Sequence, residues 1–134
     1  MAHNTLTING NRHLVNSHAT FEQTFETNER KGVKIDMTSV FADCIKKTTR
    51  TVYLNKEDEL VVEDELVTGG EQAMVTWIMV TPADARIISK NQIELTEAGQ
   101  RMLLTVTSLK DVEMKIWSDR KSTRLNSSHR CISY

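Results

Sequence analysis

The stretch ELVVEDELV-TGGEQ-AMVTWIMVT, residues 59–81, indicates the fold class of the chain. Two apolar runs, 59–67 and 73–81, are rich in β-branched residues and are separated by a segment that contains Gly69 and Gly70. Short runs of this kind around a glycine turn predict a β-hairpin. The second run is apolar at odd and even positions alike, which is typical of a strand covered on both faces. We therefore expect this hairpin to be central in a sheet and to carry the core.

Short segments with strand character recur on both sides of the hairpin. Antiparallel sandwiches and barrels show several strands at roughly ten-residue spacing without helical periodicity. The predicted fold class is therefore all-β, an antiparallel β-sandwich of stacked sheets. The further predicted strands, several of them bounded by turn dipeptides such as Asn9-Gly10, are residues 5–8, 32–37, 46–55, 85–89, 93–96, 101–107 and 112–117.

Two segments lack a clear strand pattern. Residues 11–30 are mostly polar, with Phe21 and Phe25 as the large apolar side chains, and we predict a long irregular excursion with a weaker helical alternative over 20–30. Residues 40–45 fit either one helical turn or a bend. Pro82 follows the second apolar run and is expected to end it, because proline cannot donate to a sheet ladder.

Composition excludes several classes of protein. The chain has 134 residues, a length typical of one domain. No run of residues approaches the roughly 20 apolar residues that are needed to span a bilayer. Its first residues lack the basic and apolar regions of a signal peptide. The two cysteines, Cys44 and Cys131, cannot form a disulfide framework or a metal quartet.

The last stretch, residues 120–134, differs from the rest in being polar and serine-rich, with four basic residues and no acid. Without it, residues 1–119 hold 13 basic and 18 acidic residues, a net charge of −5. Four spaced cations without interleaved aromatic residues are not typical of a nucleic-acid-binding tail. The stretch resembles a recurrent read-through peptide of assembled environmental sequence. We predict a domain over 1–119 and a non-native, disordered tail over 120–134.

Three groups of side chains could carry chemistry. The acidic residues between Glu57 and Glu65 could hold calcium, but they lack the glycine-punctuated spacing of a calcium loop, and a solvated strand face explains them better. His3, His13 and His18 do not have the i, i+4 spacing of a helical zinc site.

Trp77 and Trp117 could form a stacking platform for sugars. The position of Trp77 in the doubly apolar run favours a core residue, and Trp117 is left open. From chemistry alone, the sequence indicates an antiparallel β domain without a catalytic motif.

The segment Ala2-His3-Asn4-Thr5-Leu6-Thr7-Ile8-Asn9-Gly10 resembles the start of the carboxy-terminal β-sandwich of heparinase II/III-like polysaccharide lyases. The likeness spans most of residues 2–119 in order and spacing. It continues through Lys31-Gly32, Asp36-Met37-Thr38, Thr49-Arg50-Thr51-Val52-Tyr53-Leu54, Leu60-Val61-Val62-Glu63-Asp64 and Val75-Thr76-Trp77-Ile78-Met79.

The resemblance implies part of an enzyme that cleaves uronic-acid-containing polysaccharides, such as heparin or heparan sulfate, by β-elimination. In such lyases the catalytic groups come from an amino-terminal helical toroid and the first part of the sheet domain, regions that we expect to be missing here. Tyr53 and Tyr134 do not lie in a matching motif, so no catalytic residue is assigned. We expect a truncated fragment that supplies the sheet scaffold and is inactive alone.

His3 is the one site residue that the resemblance implies. It matches the family's last ligand to a structural metal, zinc or calcium, whose companion ligands come from preceding strands. We therefore predict that His3 binds metal only in the complete enzyme. The resemblance also implies an acidic polysaccharide substrate and a periplasmic or secreted bacterial protein. The alternative function is an independent, non-catalytic β-sandwich module that binds carbohydrate or protein.

Overall fold

The computed structural model describes residues 4–11, 14, 16–42, 45–70, 72–108, 112–118 and 130–133. All strand pairs with an assigned register are antiparallel, and the one helix in these ranges is a 3-10 turn, Thr38–Val40, so the all-β prediction is confirmed. The strands are β1 Leu6–Ile8, β2 Thr20–Glu26, β3 Arg30–Asp36, β4 Lys47–Asn55, β5 Leu60–Val67, β6 Val75–Thr81, β7 Asp84–Ser89, β8 Gln92–Glu97, β9 Gln100–Thr105, β10 Lys115–Ser118 and β11 Arg130–Ser133.

The chain divides into two compact units. The first unit combines Met1–Thr7 with Val75–Tyr134, and the second is Ile8–Met74. No helix within the described residues is long and apolar enough to cross a membrane.

The first unit contains two sheets, ordered β1-β6-β11-β10 and β7-β8-β9. Ala83, Ile93 and Leu95 are buried between them, and Met79 of β6 and Ile116 of β10 pack against this cluster. Residues from both sheets therefore share one apolar core, as expected for stacked layers. The predicted stacking of sheets is present within this unit.

The second unit is built on one sheet, ordered β2-β3-β4-β5. Its strands pair with their neighbours in sequence, which short connections between antiparallel strands favour. The β4–β5 turn is held by Asn55, whose Oδ1 accepts hydrogen bonds from the backbone N–H groups of Glu57 (3.0 Å) and Glu59 (2.8 Å). Among the described residues of this unit, Met37, Phe41, Ile45, Thr48 and Thr49 are buried.

The predicted hairpin over residues 59–81 is wrong. β5 pairs with β4 at the edge of the second unit's sheet, whereas β6 lies between β1 and β11 in the first unit. Acidic side chains of β5 bind side chains of β4, as Asp64 binds Arg50. The residues of β6 are apolar on both faces, and both faces are half-buried. The two runs therefore have different partners. Central placement is correct for β6, which is half-buried at every position before the buried Thr81.

The irregular excursion over 11–30 is also wrong in part, because residues 20–26 form β2. Every β2 residue except Phe25 is exposed. An edge strand with little burial does not need an apolar face, so its polar composition concealed it. For residues 40–45, the structure places a 3-10 turn slightly earlier, at Thr38–Val40.

Residues 119–129 and 134, most of the predicted tail, lie outside the described residues. The structure differs from the predicted disorder at Arg130–Ser133, where β11 pairs with β6 and β10. The backbone of β11 completes the hydrogen-bond ladder between those strands, which requires no particular side chains. The domain boundary at 119 and the non-native origin of the tail stay predictions.

Candidate functional site

The amino-terminal element is attached to β6 by a side chain. The backbone N–H of Ile78 donates to the carbonyl of Thr5 (3.0 Å), and two residues further the N–H of Val80 donates to Oδ1 of Asn4 (2.7 Å). The Asn4 amide oxygen thus takes the position of a main-chain acceptor and extends the ladder beyond β1. This is a physical reason for asparagine at that point of the Ala-His-Asn element.

A groove of about 400 Å³ lies beside the same strand. Its floor is mainly apolar, and its rim carries polar side chains from the β8–β9 hairpin. The lining residues are Met79, Thr81, Ala83, Leu95, Glu97, Ala98, Gln100, Arg101 and Met102.

The β8–β9 turn forms the rim. Ala98 and Gly99 both have positive φ, 49° and 78°, as in a two-residue type I′ turn, and Glu97 pairs with Gln100 across it. The turn therefore places a carboxylate and an amide together at one end of the groove. Ala98 is an unfavourable residue for this backbone conformation, which Asn or Gly would adopt at lower cost.

Arg101 also borders the groove, but its guanidinium is held in an ion pair on the other face of the sheet, because Arg101 is opposite Thr96 in the register and Glu94 and Thr96 alternate with the buried Leu95. Its Nη1 lies 3.2 Å from Oε2 of Glu94, and Nη2 of Arg86 lies 2.9 Å from the other oxygen of the same carboxylate. The Glu94 side chain is largely buried, whereas both arginines are exposed. A carboxylate shared by two guanidinium groups orients them without cancelling both charges.

At the floor, the Thr81 hydroxyl oxygen accepts a hydrogen bond from the N–H of Ala83 (3.1 Å) across Pro82. β6 ends at Thr81, so Pro82 ends the second apolar run as predicted. Apolar floors with a few convergent polar groups are typical of ligand sites. The arrangement suits the binding of an amphipathic ligand, such as a sugar or a peptide.

The residues singled out from the sequence are not brought together. His3 and His13 lie outside the described residues, so the metal prediction for His3 stays a prediction, and His18 is exposed. Within the described ranges there is no group of three or more His, Cys, Asp or Glu side chains that could hold a metal ion. Trp77 is half-buried in β6 and is not one of the buried core residues that the sequence favoured, and Trp117 is exposed.

The acidic residues of β5 are used in cross-strand contacts. Asp64 makes a bidentate ion pair with Arg50, at 2.7 and 2.8 Å, and Glu65 accepts a hydrogen bond from Thr49 (3.2 Å). Glu63 and Glu65 are exposed, as expected for a solvated strand face. These contacts give Asp64 and Glu65 a structural role within the β4–β5 strand pair.

Among the described residues of the second unit, Asp36 and Tyr53 have shifted pKa values. Hydrogen bonds from the side chain and backbone N–H of Thr38 lower the pKa of Asp36 from its ordinary 3.8. Burial raises the pKa of Tyr53, and a hydrogen bond to the Glu63 carboxylate raises it further.

The groove residues Glu97, Gln100 and Arg101 were not anticipated from the sequence. They lie in or next to the interval between the predicted strands 93–96 and 101–107, but a groove depends on the second layer behind the hairpin. The amino-terminal Asn4 was part of the resemblance, although its role on β6 was not predicted.

Comparison with known families gives a match over residues 1–134, the whole chain. The matching family model is described as "Heparinase II/III-like, C-terminal". A comparison with curated proteins finds no match.

Proposed function

Because the chain belongs to the heparinase II/III-like C-terminal family, we propose that it is the carboxy-terminal sheet portion of a polysaccharide lyase. In its complete form this enzyme cleaves uronic-acid-containing polysaccharides of the heparin or heparan sulfate type by β-elimination. The observation that carries the proposal is the family match along the whole chain, together with an antiparallel all-β fold.

β-Elimination needs a base for the proton α to the uronate carboxyl, a neutraliser for the charge that develops there, and an acid for the departing oxygen. We assign none of these roles to this chain. Its part is to provide stacked sheets that a helical toroid, supplied by the rest of the enzyme, would use as one wall of the substrate cleft. The chain alone is therefore proposed to be inactive.

The metal belongs to the complete enzyme in this proposal. His3 would be one ligand of zinc (or calcium), and Asn4, the next residue, is bound to β6 at 2.7 Å. One imidazole does not make a zinc site, since three or four protein ligands are usual. The described residues contain no metal-binding group of their own with three or more His, Cys, Asp or Glu side chains. Zinc titration of the isolated chain should show no tight stoichiometric binding, and such binding would contradict the assignment.

The direct test is the reading frame upstream of Met1. We expect continuous coding sequence with a helical region and a strand that carries further metal ligands.

The second test is an activity assay. The chain and the longer product are incubated with heparin, heparan sulfate and alginate, and the formation of unsaturated uronate is followed by its ultraviolet absorbance. The proposal predicts activity for the longer product and none for the chain. A start signal directly before Met1, or activity of the chain itself, would overturn it. Periplasmic or secreted placement is part of the proposal and is tested by the leader of the longer product.

The groove beside β6 favours one other function, an independent module that binds carbohydrate or protein. Its mainly apolar lining and the polar side chains of Glu97 and Gln100 at its rim are typical of a ligand-binding site. This alternative predicts saturable binding of a saccharide or peptide that Gln100→Ala weakens and Arg86→Gln does not. No upstream coding sequence is required.

A further inference from the structure

One face of the second unit's sheet carries an aromatic and cationic cluster apart from the groove. In the strand register, Phe25 of β2 is opposite Gly32 of β3, and Gly32 is opposite Tyr53 of β4. The three residues form a row across the sheet in which two rings flank a position without a side chain. The ring centroids are 6.4 Å apart, and the ring planes are tilted by 56°.

Arg30 lies over this row. It is two residues before Gly32 on β3, so it projects from the same face. Its guanidinium carbon is 4.9 Å from the Phe25 ring centroid and 5.6 Å from that of Tyr53, within range of cation–π attraction to both. Both rings are half-buried, whereas Arg30 is exposed. The guanidinium plane is thus restrained by two rings while the group stays open to solvent.

Gly32 is required for this arrangement. A Cβ atom at residue 32 would collide with the carbonyl oxygen of Val52 and would lie 2.5 Å from Cβ and 2.7 Å from Cα of Tyr53. No other residue type allows β4 to approach β3 so closely at this point. The gap between the rings is therefore a built feature of the sheet.

The cluster is also fixed from the β5 side, because the Tyr53 hydroxyl donates a hydrogen bond to Oε1 of Glu63 (3.1 Å). Arg30 itself has no ion-pair partner in the described part of the chain, in contrast to Arg50, Arg86 and Arg101. A guanidinium has five N–H donors in a planar fork that fits two acceptor oxygens. Arg30 is thus an oriented cation whose donors have no acceptor among the described side chains.

We propose that the cluster of Phe25, Arg30, Gly32 and Tyr53 is a secondary binding site for an acidic polysaccharide. Arg30 would bind an anionic group of the chain through two oxygens, and the ring edges would contact the apolar face of the sugar. The carboxylate of a uronate and a sulfate ester share this acceptor chemistry. The choice of a polysaccharide as the ligand rests on the proposed function. The choice of an anion rests on Arg30.

The charged residues nearby limit the strength of such binding. Glu63 is bound to Tyr53, the exposed Glu29 is paired with Lys56 at 3.0 Å, and Lys34 is paired with Glu22 at 3.6 Å. Because neighbouring charges are paired and residues 1–119 are acidic, the surface offers no broad attraction to a polyanion. Binding is therefore expected to be local, weak and reduced by salt.

Nuclear magnetic resonance titration of the isotope-labelled full chain tests the site directly. Three probes distinguish the ligand groups: an unsulfated uronate oligosaccharide, dextran sulfate and neutral dextran. At least one anionic probe should shift the amide signals around Gly32, whereas neutral dextran should not. Arg30→Gln should weaken the binding about tenfold or more, since a charged hydrogen bond contributes about 1.5–3 kcal/mol.

Arg86→Gln is the matched control, because it removes an exposed cation of the first unit and should leave the affinity unchanged. Arg30→Lys keeps the charge but loses the fork, and an intermediate loss is expected. It also serves as the second variant if Arg30→Gln does not fold. Tyr53→Phe should weaken binding less than Arg30→Gln does.

Absence of binding by both anionic probes, equal binding of neutral dextran, or equal losses for Arg86→Gln and Arg30→Gln would each overturn the inference. Which anionic probe binds identifies a carboxylate or a sulfate as the recognised group. The proposed function fails separately, through the reading frame and the elimination assay. If the proposed function failed while the anionic probes still bound, the chain would be an anion-binding module without a role in a lyase.

Discussion

The two units use similar alternating strands but bury them differently. In the first unit, Ile93 is fully buried and Leu95 is 3% exposed, because residues of a second sheet pack on that face of β8. In the second unit, Leu60 is 70% exposed and Val62 40%, on the edge strand of a single sheet. The difference shows that an apolar residue in a strand has its energetic effect only where another layer covers it.

The second unit relies more on polar contacts between strands. The Arg50–Asp64 pair joins β4 and β5 with both side chains 13% exposed, and neighbouring pairs such as Thr49–Glu65 lie further along the same ladder. Cross-strand pairs of this kind each contribute modestly to sheet stability. Five predictions, each with its own variants, test how far the two units differ, with the free energy of unfolding in urea as the measured quantity.

The largest effect is expected in the covered core of the first unit. Ile93→Ala should lower the free energy of unfolding by about 3 kcal/mol, because it removes a fully buried side chain and leaves a cavity. Ile87→Ala, on the neighbouring strand but 43% exposed, should cost less than about 1 kcal/mol. Equal losses at the two positions would contradict the two-layer description.

The next effect concerns the ion pair of the second unit. Arg50→Ala should cost about 2 kcal/mol, because it leaves the Asp64 carboxylate half-buried without its bidentate partner. Lys31→Ala breaks the exposed pair with Glu26 and should cost at most about 0.5 kcal/mol. If Arg50→Ala were as mild as Lys31→Ala, the pair would not be a main contact of this sheet.

A stabilising change is expected at Thr48. Its hydroxyl is buried without a hydrogen-bond partner in the described structure, so Thr48→Val should raise the free energy of unfolding by about 1 kcal/mol. Thr49 is equally buried, but its hydroxyl is bound to Glu65, and Thr49→Val should not stabilise. The opposite order would indicate that the Thr48 hydroxyl has a bound partner.

A smaller gain is expected at the β8–β9 turn. Ala98→Asn should stabilise the first unit by about 0.5 kcal/mol, because asparagine adopts positive φ at lower cost than alanine. Asn9-Gly10 in the β1 turn already has the favoured pair at φ values of 53° and 74°. Asn9→Ala should therefore destabilise, and it also removes the side-chain hydrogen bond to the N–H of Met74 (2.8 Å).

The smallest effect is a pH dependence in the second unit. The pKa of Asp36 is lowered in the folded chain from its ordinary value of 3.8. Its charged form therefore contributes to stability above pH 3.8. This contribution is lost as the pH falls through the pKa of the folded state. In Asp36→Asn, the free energy of unfolding should therefore fall less between neutral and acidic pH than in the unchanged chain. The free energies of unfolding of the unchanged chain and of Asp36→Asn would be measured at pH 7 and at pH 3, about one unit below the ordinary pKa. The difference between the two proteins gives the contribution of Asp36. An unchanged pH dependence would contradict a role for the Thr38 hydrogen bonds.

Much of the secondary structure could be predicted from the sequence. β1, β3, β4, β7 and β8 were placed within about two residues, because alternation marks a half-buried strand and turn residues mark its ends, as Asn9-Gly10 does for β1. β2 was missed, since an exposed edge strand has no periodic signal. The partner of β5 was also missed, because the sequence shows strand character but not which strand is the neighbour.

For the candidate site, the sequence led to the family through the segment around His3. The groove was not visible in it, since Met79, Leu95 and Met102 come from three strands of two sheets. The Arg30 cluster was not visible either. Phe25, Arg30 and Tyr53 meet only because the register puts Gly32 between the two aromatic residues.

The sequence alone determined that the chain is built of antiparallel strands, where most of them lie, and which family it belongs to, because local alternation, turn residues and motif order are properties of neighbouring residues. Only the tertiary structure decided which strands pair, which apolar faces are covered and which side chains meet across a sheet. Those outcomes depend on backbone hydrogen bonds between distant segments, and every strand offers the same donors and acceptors whatever its side chains.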